Sequence, residues 1–329
     1  MVRDHGFHPV RVARIVRETD DARTYVLDAP FPYRAGQFLT LRACGTLRSY
    51  SMSSSPDTDG ELMTTVKRVP GGLVSNWLHD NLAPGDLVEV TRPAGVFCLR
   101  ETDAPLVAFC GGSGITPVMS LAKSALATTE RRVRILAADR DAGSVIFADA
   151  LADLARRYPS RFEVRHHLDA DNGFVTPDVV REFAGDDGGA DFYICGPEPF
   201  MDLTEGALLS HGVAPERILI ERFAPAAEAP EAPPESEPEG TITIVLSGRK
   251  HTVPQHPGET FLQSARRAGL APPFSCEAGN CATCIAQVTE GKAEMRVNNA
   301  LGDDEVAEGW VLTCQGEPAS PQVTVVYED

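Results

Sequence analysis

Four cysteines toward the end of the chain have the spacing of iron–sulfur ligands. Cys276-x4-Cys281-x2-Cys284 forms one tight group, and Cys314 follows in the segment VLTCQGE. A [2Fe–2S] cluster needs four converging thiolates, and one short loop plus one distant segment can supply them. A zinc site is the alternative, but such sites usually pair two C-x2-C units or include histidine, and neither occurs here. The spacing therefore predicts a [2Fe–2S] cluster on these four cysteines.

The segment that carries these cysteines resembles plant-type ferredoxins from Thr241 to Asp329. The resemblance implies an α+β domain of the β-grasp fold. In that fold TITIVLSGRKHTV is the opening hairpin and TFLQSARRAG is the helix.

A second group of chemically useful side chains lies in Arg48-Ser49-Tyr50-Ser51, just after the strand-like segment QFLTLRA. An arginine can contact a pyrophosphate, a tyrosine can pack on an isoalloxazine, and a serine can form a hydrogen bond near flavin N5. Further on, VKRVPGGLVSNWL predicts a helix that starts at Ser75, whose N-terminal N–H groups could hold a phosphate. The alternative is an ordinary Pro-Gly turn with Ser75 as the helix cap.

Taken in this order, the two motifs resemble the flavin-binding barrel of the ferredoxin–NADP⁺ reductase superfamily. The resemblance implies an antiparallel β-barrel that binds FAD, although FMN stays open because some relatives with the same domain order carry it. The flavin-site residues that it implies are Arg48, Tyr50, Ser51, Lys67, Gly72 and Ser75.

A glycine-rich turn follows the strand-like segment PLVAFC and reads GGSGITP. Gly112 and Gly114 permit a tight strand-to-helix turn and let the backbone approach a pyrophosphate, whose charge a helix N-terminus favours. Thr116 lies in the first helical turn, and Pro117 stands where the third glycine of a G-x-G-x-x-G motif would be. The loop resembles the nucleotide loop of the same superfamily, which carries proline there, and so implies an NAD(P)-binding domain.

Two further segments match that superfamily in order. Cys195-Gly196-Pro197 follows the strand-like DFYIC, and the resemblance puts Cys195 beside the nicotinamide ring, whereas a small buried thiol is the alternative. Glu221 and Phe223 match an acidic residue and an aromatic that stacks on the flavin. The catalytic positions implied in this way are Ser51, Cys195, Glu221 and Phe223.

The choice between NADH and NADPH depends on the residues after the second strand of this domain. Arg140 would favour a 2′-phosphate, whereas Asp141 could accept from a ribose 2′-hydroxyl and would repel that phosphate. Both are present, and the sequence favours NADH with NADPH as the alternative.

The elements that must position these residues change in character along the chain. Residues 1–103 show short alternating segments with Gly and Pro between them, which predicts an antiparallel sheet or barrel. Residues 104–223 alternate strand and helix, which predicts a doubly wound parallel sheet. Residues 224–240 are rich in Pro, Ala and Glu and form a linker, and residues 241–329 are the ferredoxin domain. The prediction is thus a multidomain protein.

Composition excludes several classes of protein. The 329 residues carry a net charge of −17, which argues against nucleic-acid binding because phosphate contacts need clustered Lys and Arg. No apolar run is long enough to span a bilayer, and the start lacks the apolar core of a secretory signal. These features favour a cytoplasmic protein that does not enter a membrane.

The complete order of domains resembles the reductase components of bacterial oxygenases, most strongly those of 3-ketosteroid 9α-hydroxylase systems. The resemblance implies that electrons pass from NADH to FAD, then to the cluster and to a terminal oxygenase of the Rieske non-haem iron type. Reductases for aromatic substrates or phenylacetyl-CoA epoxidation share most of the motifs. A stand-alone diaphorase or flavin reductase, and a redox sensor, are the alternatives from other classes.

Overall fold

The computed structural model describes residues 7–186, 189–223, 237–270, 272–274, 277, 279 and 282–327. Two predicted cluster ligands, Cys276 and Cys281, lie outside these residues. Within the described part of the chain, no helix is long and apolar enough to cross a membrane.

Six antiparallel strands form the first sheet, in the order β4-β3-β6-β1-β2-β5. They are β1 (His8–Arg17), β2 (Ala22–Asp28), β3 (Phe38–Ala43), β4 (Thr46–Ser51), β5 (Leu62–Lys67) and β6 (Leu87–Val90). A bridge between Met52 and Thr64 brings the ends of the two edge strands together and closes the sheet. The predicted antiparallel barrel is confirmed, and helix α1 (Leu73–Asn81) packs on it through Val74 and Leu78.

A two-residue turn sets the register of the strand that carries the flavin motif. Cys44 and Gly45 both have positive φ, as a tight hairpin of this kind requires. The turn pairs Ala43 with Thr46, and from there Leu41 with Arg48. A local backbone feature therefore decides which face of β4 each motif residue occupies.

The second sheet has five parallel strands in the order β11-β10-β7-β8-β9. They are β7 (Leu106–Gly111), β8 (Val133–Asp139), β9 (Phe162–Leu168), β10 (Asp191–Cys195) and β11 (Ile218–Glu221). The helices are α2 (Ile115–Thr128), α3 (Ala148–Arg157), α4 (Asp169–Asn172), α5 (Pro177–Ala184) and α6 (Glu198–Ser210). Successive residues of β7 enter two core clusters on opposite faces, so the doubly wound sheet is confirmed.

The barrel and the parallel sheet share one core. Three apolar barrel-side residues belong to the same buried cluster as helix α2, and they are Ala22, Ala35 and Phe97. The contact is also polar, since Ser120 Oγ on α2 donates to the carbonyl oxygen of Ser54 at 2.5 Å. Lys123 on the same helix pairs with Asp59 at 3.0 Å. These contacts pack the first two domains against each other as a continuous unit.

The third domain is a five-stranded sheet in the order β13-β12-β18-β14-β16, with a small two-stranded sheet β15-β17 beside it. Its strands are β12 (Gly240–Leu246), β13 (Arg249–Gln255), β14 (Ile285–Glu290), β15 (Ala293–Met295), β16 (Trp310–Leu312), β17 (Gly316–Pro318) and β18 (Gln322–Val326). Its helices are α7 (Phe261–Arg267) and α8 (Asp303–Ala307). The opening hairpin, the helix and the parallel pairing of β12 with β18 agree with the predicted β-grasp fold.

Candidate functional site

The nucleotide loop and the Cys-Gly-Pro loop meet where the strand order of the parallel sheet reverses. Strands β7 and β10 are neighbours, and Cys110 pairs with Cys195 in register. The chain leaves β7 toward one helix and β10 toward another, which opens a crevice beyond the strand ends. Ligands of doubly wound sheets bind in such a crevice.

The two loops pack backbone against backbone. A Cβ on Gly114 would lie 2.0 Å from the carbonyl oxygen of Cys195, and one on Gly196 would lie 2.9 Å from the backbone nitrogen of Gly111. Only glycine fits at either position. Thr116 fastens the turn from within, because its hydroxyl donates to the carbonyl of Ser113 at 2.6 Å.

Three of the predicted catalytic positions lie at the ends of β10 and β11. Cys195 pairs in register with Glu221, and both side chains are buried. Burial, the Glu221 carboxylate and Cys110 together hold the pKa of the Cys195 thiol well above its usual range, so the thiol is neutral at pH 7. Phe223 follows two residues later and is 41% exposed. An aromatic face is therefore available close to the crevice.

Ser51 is buried at the end of β4, and its Oγ has no hydrogen-bond partner among the described residues. An unsatisfied buried hydroxyl is unfavourable, so it fits a site that a bound group completes. Tyr50 precedes it and is half-buried, and burial raises the pKa of its phenol far above the ordinary value. Arg48 donates to the carbonyl of Leu47 at 2.6 Å. These positions fit a flavin in chemistry and in order.

The loop before α1 corrects one expectation. The helix starts at Leu73 with Gly72 as its N-cap, and not at Ser75. Gly71 has a φ of +71°, and this turn brings the chain into the helix two residues earlier. The Ser75 hydroxyl accepts from the backbone N–H of Val69 at 3.1 Å, so it fastens the loop and does not cap the helix.

Lys67, expected at the flavin, extends from β5 toward the nucleotide loop. Its Nζ lies 3.4 Å from the position of a Cβ on Gly112 and 3.9 Å from the Asp21 carboxylate. Asp21 also pairs with Arg140 at 2.9 Å, so the residue expected to meet a 2′-phosphate contacts the barrel instead. Lys67 therefore lies between the two predicted cofactor sites.

The acidic residue at the end of β8, immediately before Arg140, has an unusual environment. Asp139 is 8% exposed, and its Oδ1 has no hydrogen-bond partner among the described residues. Burial raises the pKa of its carboxyl to about 6, although the charge of Lys67 lowers it and that of Asp169 raises it further. Asp141, the predicted ribose contact, instead accepts from the backbone N–H of Ser144 at 2.9 Å. In the sequence, the signal for this residue was an acidic side chain at the end of the strand that follows the glycine-rich loop and its helix.

Another aromatic outside the sequence motifs lies on the same edge of the sheet. Phe174 is 82% exposed and follows Gly173, whose carbonyl oxygen is 2.8 Å from Nε2 of His167. His167 is on β9 and pairs in register with Ala138, the residue before Asp139. The only sequence signal for Phe174 is an aromatic after a glycine in a polar turn.

Two of the four predicted cluster ligands are described, and they lie side by side. The backbone N–H of Cys314 donates to Cys284 Sγ at 3.5 Å, and both side chains are buried. Hydrogen bonds to sulfur are among the features that set the potential of a cluster. Thr313 donates twice to the carbonyl oxygen of Cys284, from its backbone at 3.1 Å and its hydroxyl at 2.8 Å. Cys284 and Cys314 therefore fit as ligands of a [2Fe–2S] cluster, whereas Cys276 and Cys281 stay predicted ligands.

Between Cys276 and Cys281, the described residues Glu277 and Gly279 are held by several hydrogen bonds. Arg266 on α7 donates to both carboxylate oxygens of Glu277, at 3.1 and 3.2 Å. The Gln315 side chain, next to Cys314, donates to the Glu277 carbonyl at 2.7 Å. The backbone N–H of Asn299 donates to the carbonyl of Gly279 at 3.0 Å. Helix α7 and two loop residues thus hold Glu277 and Gly279 in place.

Three family models together match most of the chain and define its class of protein. Residues 9–98 match the model described as an oxidoreductase FAD-binding domain, residues 109–206 an oxidoreductase NAD-binding domain, and residues 244–319 a 2Fe-2S iron-sulfur cluster binding domain. The predicted FAD, NAD and [2Fe–2S] domains and the oxidoreductase class are confirmed.

Individual relatives share this complete layout. The chain is 37% identical to the ferredoxin reductase component of the 3-ketosteroid-9-alpha-monooxygenase of Mycolicibacterium smegmatis, over 97% of each. It is 32% identical to one of the chains of the 1,2-phenylacetyl-CoA epoxidase of Escherichia coli, over 98% of each. The solved phthalate dioxygenase reductase, described as a modular structure for electron transfer from pyridine nucleotides to [2Fe-2S], matches with a TM-score of 0.62 and 26% identity over 98% of each chain. The chain belongs to this family of flavin- and nicotinamide-binding iron–sulfur reductases, whose curated members include reductase components that serve a separate oxygenase.

Proposed function

We propose that this protein is the reductase component of a multicomponent monooxygenase and takes its electrons from NADH. The observation that carries the proposal is the junction of Gly114 with Cys195, which joins the two nucleotide loops at the switch point. Ser51 lies three residues before Ser54, and Ser54 accepts from Ser120 on α2, the helix that starts in that loop. A flavin held at Ser51 would therefore adjoin a nicotinamide held at the loops.

Each predicted residue has a role that its position supports. Gly112 and Gly114 let the backbone reach a pyrophosphate, and Lys67 places a positive charge beside the same loop. The Ser51 hydroxyl is free to donate to a flavin nitrogen, and Phe223 offers a ring that can cover a flavin face. When bound, FAD accepts a hydride and the [2Fe–2S] cluster carries electrons singly.

We assign the nucleotide as NADH because acidic side chains surround the end of β8. Asp139 has an oxygen without a partner among the described residues, and the neighbouring carboxylate of Asp169 adds negative charge that would repel a 2′-phosphate. Arg140, the residue that could attract that phosphate, is paired with Asp21. Phe174 offers an exposed ring near the same edge for the adenine. Comparing kcat/KM for NADH and NADPH tests the assignment, and equal values would refute it.

We further propose that the electron acceptor is a Rieske non-haem iron oxygenase of 3-ketosteroid 9α-hydroxylation. The steroid relatives share 37% of their residues with this chain, compared with 32% for the matched epoxidase chain. NADH-dependent hydroxylation with candidate terminal oxygenases tests the proposal, with cytochrome c reduction as the control for a working reductase. Turnover with an epoxidase partner and none with any steroid oxygenase would replace the partner and keep the class.

The second candidate is a stand-alone diaphorase or flavin reductase that passes electrons to small molecules. The hydrogen bond from the backbone N–H of Cys314 to Cys284 Sγ brings these two predicted ligands together and favours the first candidate, because a diaphorase has no need for a cluster. The variant Cys314→Ser separates the two. It should keep NADH-dependent ferricyanide reduction and lose oxygenase-coupled turnover, whereas unchanged physiological turnover would favour the diaphorase.

We also propose a cytoplasmic location. The described cysteines outside the cluster motif form no disulfide, and they are Cys44, Cys98, Cys110 and Cys195. Cysteines that stay reduced suit a reducing compartment. Cell fractionation with an antibody against the chain tests this, and recovery in a periplasmic or membrane fraction would refute it.

A further inference from the structure

One hydrogen bond joins the flavin barrel to the loop that carries the cluster ligands. The hydroxyl oxygens of Thr40 and Thr283 are 3.3 Å apart, although the residues are 243 positions apart in sequence. Thr40 is 1% exposed and Thr283 is 8% exposed, so the contact lies inside the protein and not on a rim. Thr283 immediately precedes the predicted ligand Cys284.

On the barrel side, this contact continues into the flavin motif. Thr40 Oγ1 is also 3.0 Å from Ser49 Oγ, and the two residues face each other across β3 and β4. Ser49 stands between Arg48 and Tyr50, the predicted pyrophosphate and isoalloxazine contacts. Thr91 fixes the backbone of Thr40, since its hydroxyl accepts from the Thr40 N–H at 3.0 Å and its own N–H donates to the Thr40 carbonyl at 2.9 Å.

On the cluster side, the contact is equally well held. Cys284 receives two hydrogen bonds from Thr313 at its carbonyl oxygen, and its sulfur accepts from the N–H of Cys314. Thr283 therefore projects from a part of the loop that the strand segment of the fourth ligand keeps in place. A short chain of hydroxyls, Ser49 to Thr40 to Thr283, leads from one cofactor motif to the other.

We propose that Thr40 and Thr283 are positioning residues that dock the cluster loop on the flavin barrel for electron transfer between them. The step itself moves one electron from the reduced flavin to a ferric iron of the cluster, and no bond forms or breaks. This inference rests on the proposed function for its redox step but not for the docking contact. A hydrogen bond between two neutral hydroxyls stabilises an association only about two- to tenfold, so the docked state can also open. The linker, residues 224–240, keeps the domain nearby when it does.

The test replaces each hydroxyl by a methyl group of the same shape, in Thr40→Val and Thr283→Val. Anaerobic stopped-flow mixing with NADH resolves flavin bleaching from the later bleaching of the cluster. We expect flavin reduction to stay within twofold of wild type and cluster reduction to slow about two- to tenfold in either variant. The double variant should be no slower than the slower single variant, because both changes remove the same contact.

A matched control exists in the same barrel. The hydroxyls of Thr24 and Thr65 form a buried pair at 2.7 Å that does not involve the ferredoxin domain. Thr24→Val should leave the cluster phase unchanged. An equal slowing in Thr24→Val, additive effects in the double variant, or an unchanged rate in both single variants would each overturn the proposal.

A second readout does not depend on catalysis. In Thr40→Val, amide hydrogen exchange should quicken in the peptide that contains Thr283, by the same two- to tenfold, and it should not quicken in Thr24→Val. Unchanged exchange would overturn the docking contact even if NADH never reduced the flavin. Failure of the proposed function would instead show as no flavin bleaching in wild type, with the exchange difference intact.

Discussion

Gly114 lies so close to the Cys-Gly-Pro loop that a single methyl group would separate that loop from the glycine-rich loop. The clash would be with the carbonyl oxygen of Cys195 at 2.0 Å, and backbone cannot move aside as the end of a long side chain can. This relation depends on two residues 81 positions apart (195 − 114), and no local pattern carries it.

For Gly114→Ala we expect NADH to reduce the flavin at least tenfold more slowly at subsaturating concentration, because the loops must part. Single-mixing kinetics of flavin bleaching measure the effect. Gly206→Ala is the matched control, since Gly206 lies within α6 with nothing near its Cβ position, and alanine there should stabilise the helix by about 0.5–1 kcal/mol. A wild-type rate in Gly114→Ala would contradict the close approach.

Asp139, which we propose as the acceptor for a ribose hydroxyl, also carries a stability penalty. Its carboxyl has a pKa of about 6 in the folded protein, above the ordinary value of about 3.9, so the folded state binds this proton more tightly than the unfolded state. The protein therefore gains stability as the pH falls through 6 toward 4 and loses it as the pH rises.

We expect Asp139→Asn to raise the free energy of unfolding at pH 8 by up to about 3 kcal/mol, with the gain disappearing near pH 4. The same variant should bind NADH more weakly, because the proposed ribose acceptor loses its charge. Urea unfolding at both pH values and NADH titration measure the two effects. A gain in stability that does not depend on pH would rule out the carboxylate as its source.

Elements with a local signature were predictable, and those set by long-range contacts were not. Alternating segments predicted an antiparallel sheet or barrel, and the regular exchange of strand and helix predicted the parallel sheet, because burial imposes those periods on each stretch of sequence. The start of α1 was misplaced by two residues, because the turn at Gly71 decides it and not the serine that resembles a cap. Closure of the barrel by the bridge between Met52 and Thr64 could not be predicted, because a single bridge between two edge strands leaves no pattern in the sequence.

Helix α7 contributes to the cluster site without supplying a ligand. Arg266 reaches the Glu277 carboxylate, whose side chain is almost fully buried and which lies one residue after the predicted ligand Cys276. Glu277 has a φ of +51°, a conformation that a side chain adopts only when its surroundings hold it. The helix thereby fixes the position of Glu277.

We expect Arg266→Gln to release iron several-fold faster under a chelator, because a buried carboxylate without its partner destabilises the loop. Loss of visible absorbance against time measures the release. Arg267→Gln is the matched control, since that neighbouring arginine pairs with the buried carboxylate of Glu259 and not with Glu277. If both variants lost iron at the same rate, general destabilisation of the domain would explain the effect.

At the scale of the whole molecule, the contact between Thr40 and Thr283 shows one position of the cluster domain, and the linker predicts that there are others. The sequence indicated the linker through its Pro and Glu content but could not indicate where the domain rests. Such a resting place depends on two segments far apart in the chain. Thr40 lies in an ordinary barrel strand and Thr283 in the cysteine loop, and neither has a local pattern that marks it as a contact.

Shortening the linker by about eight residues should leave flavin reduction by NADH unchanged and lower turnover with a protein acceptor such as cytochrome c. The physical reason is that a short tether cannot let the cluster domain reach both the flavin and an external partner. Replacement of residues 225–236 by a Gly/Ser segment of equal length is the control and should keep turnover. Equal turnover in the shortened chain would show that the domain delivers electrons without leaving the barrel.

The core that the barrel shares with helix α2 also decides how the molecule responds to heat. Ala22, Ala35 and Phe97 cannot leave that cluster while the parallel sheet stays folded, so the first two domains should unfold together. The core clusters of the third domain draw on residues between Ile242 and Tyr327 only, among those described. Calorimetry should therefore resolve two endotherms from a protein of three domains, and removal of the iron should lower the midpoint of only one.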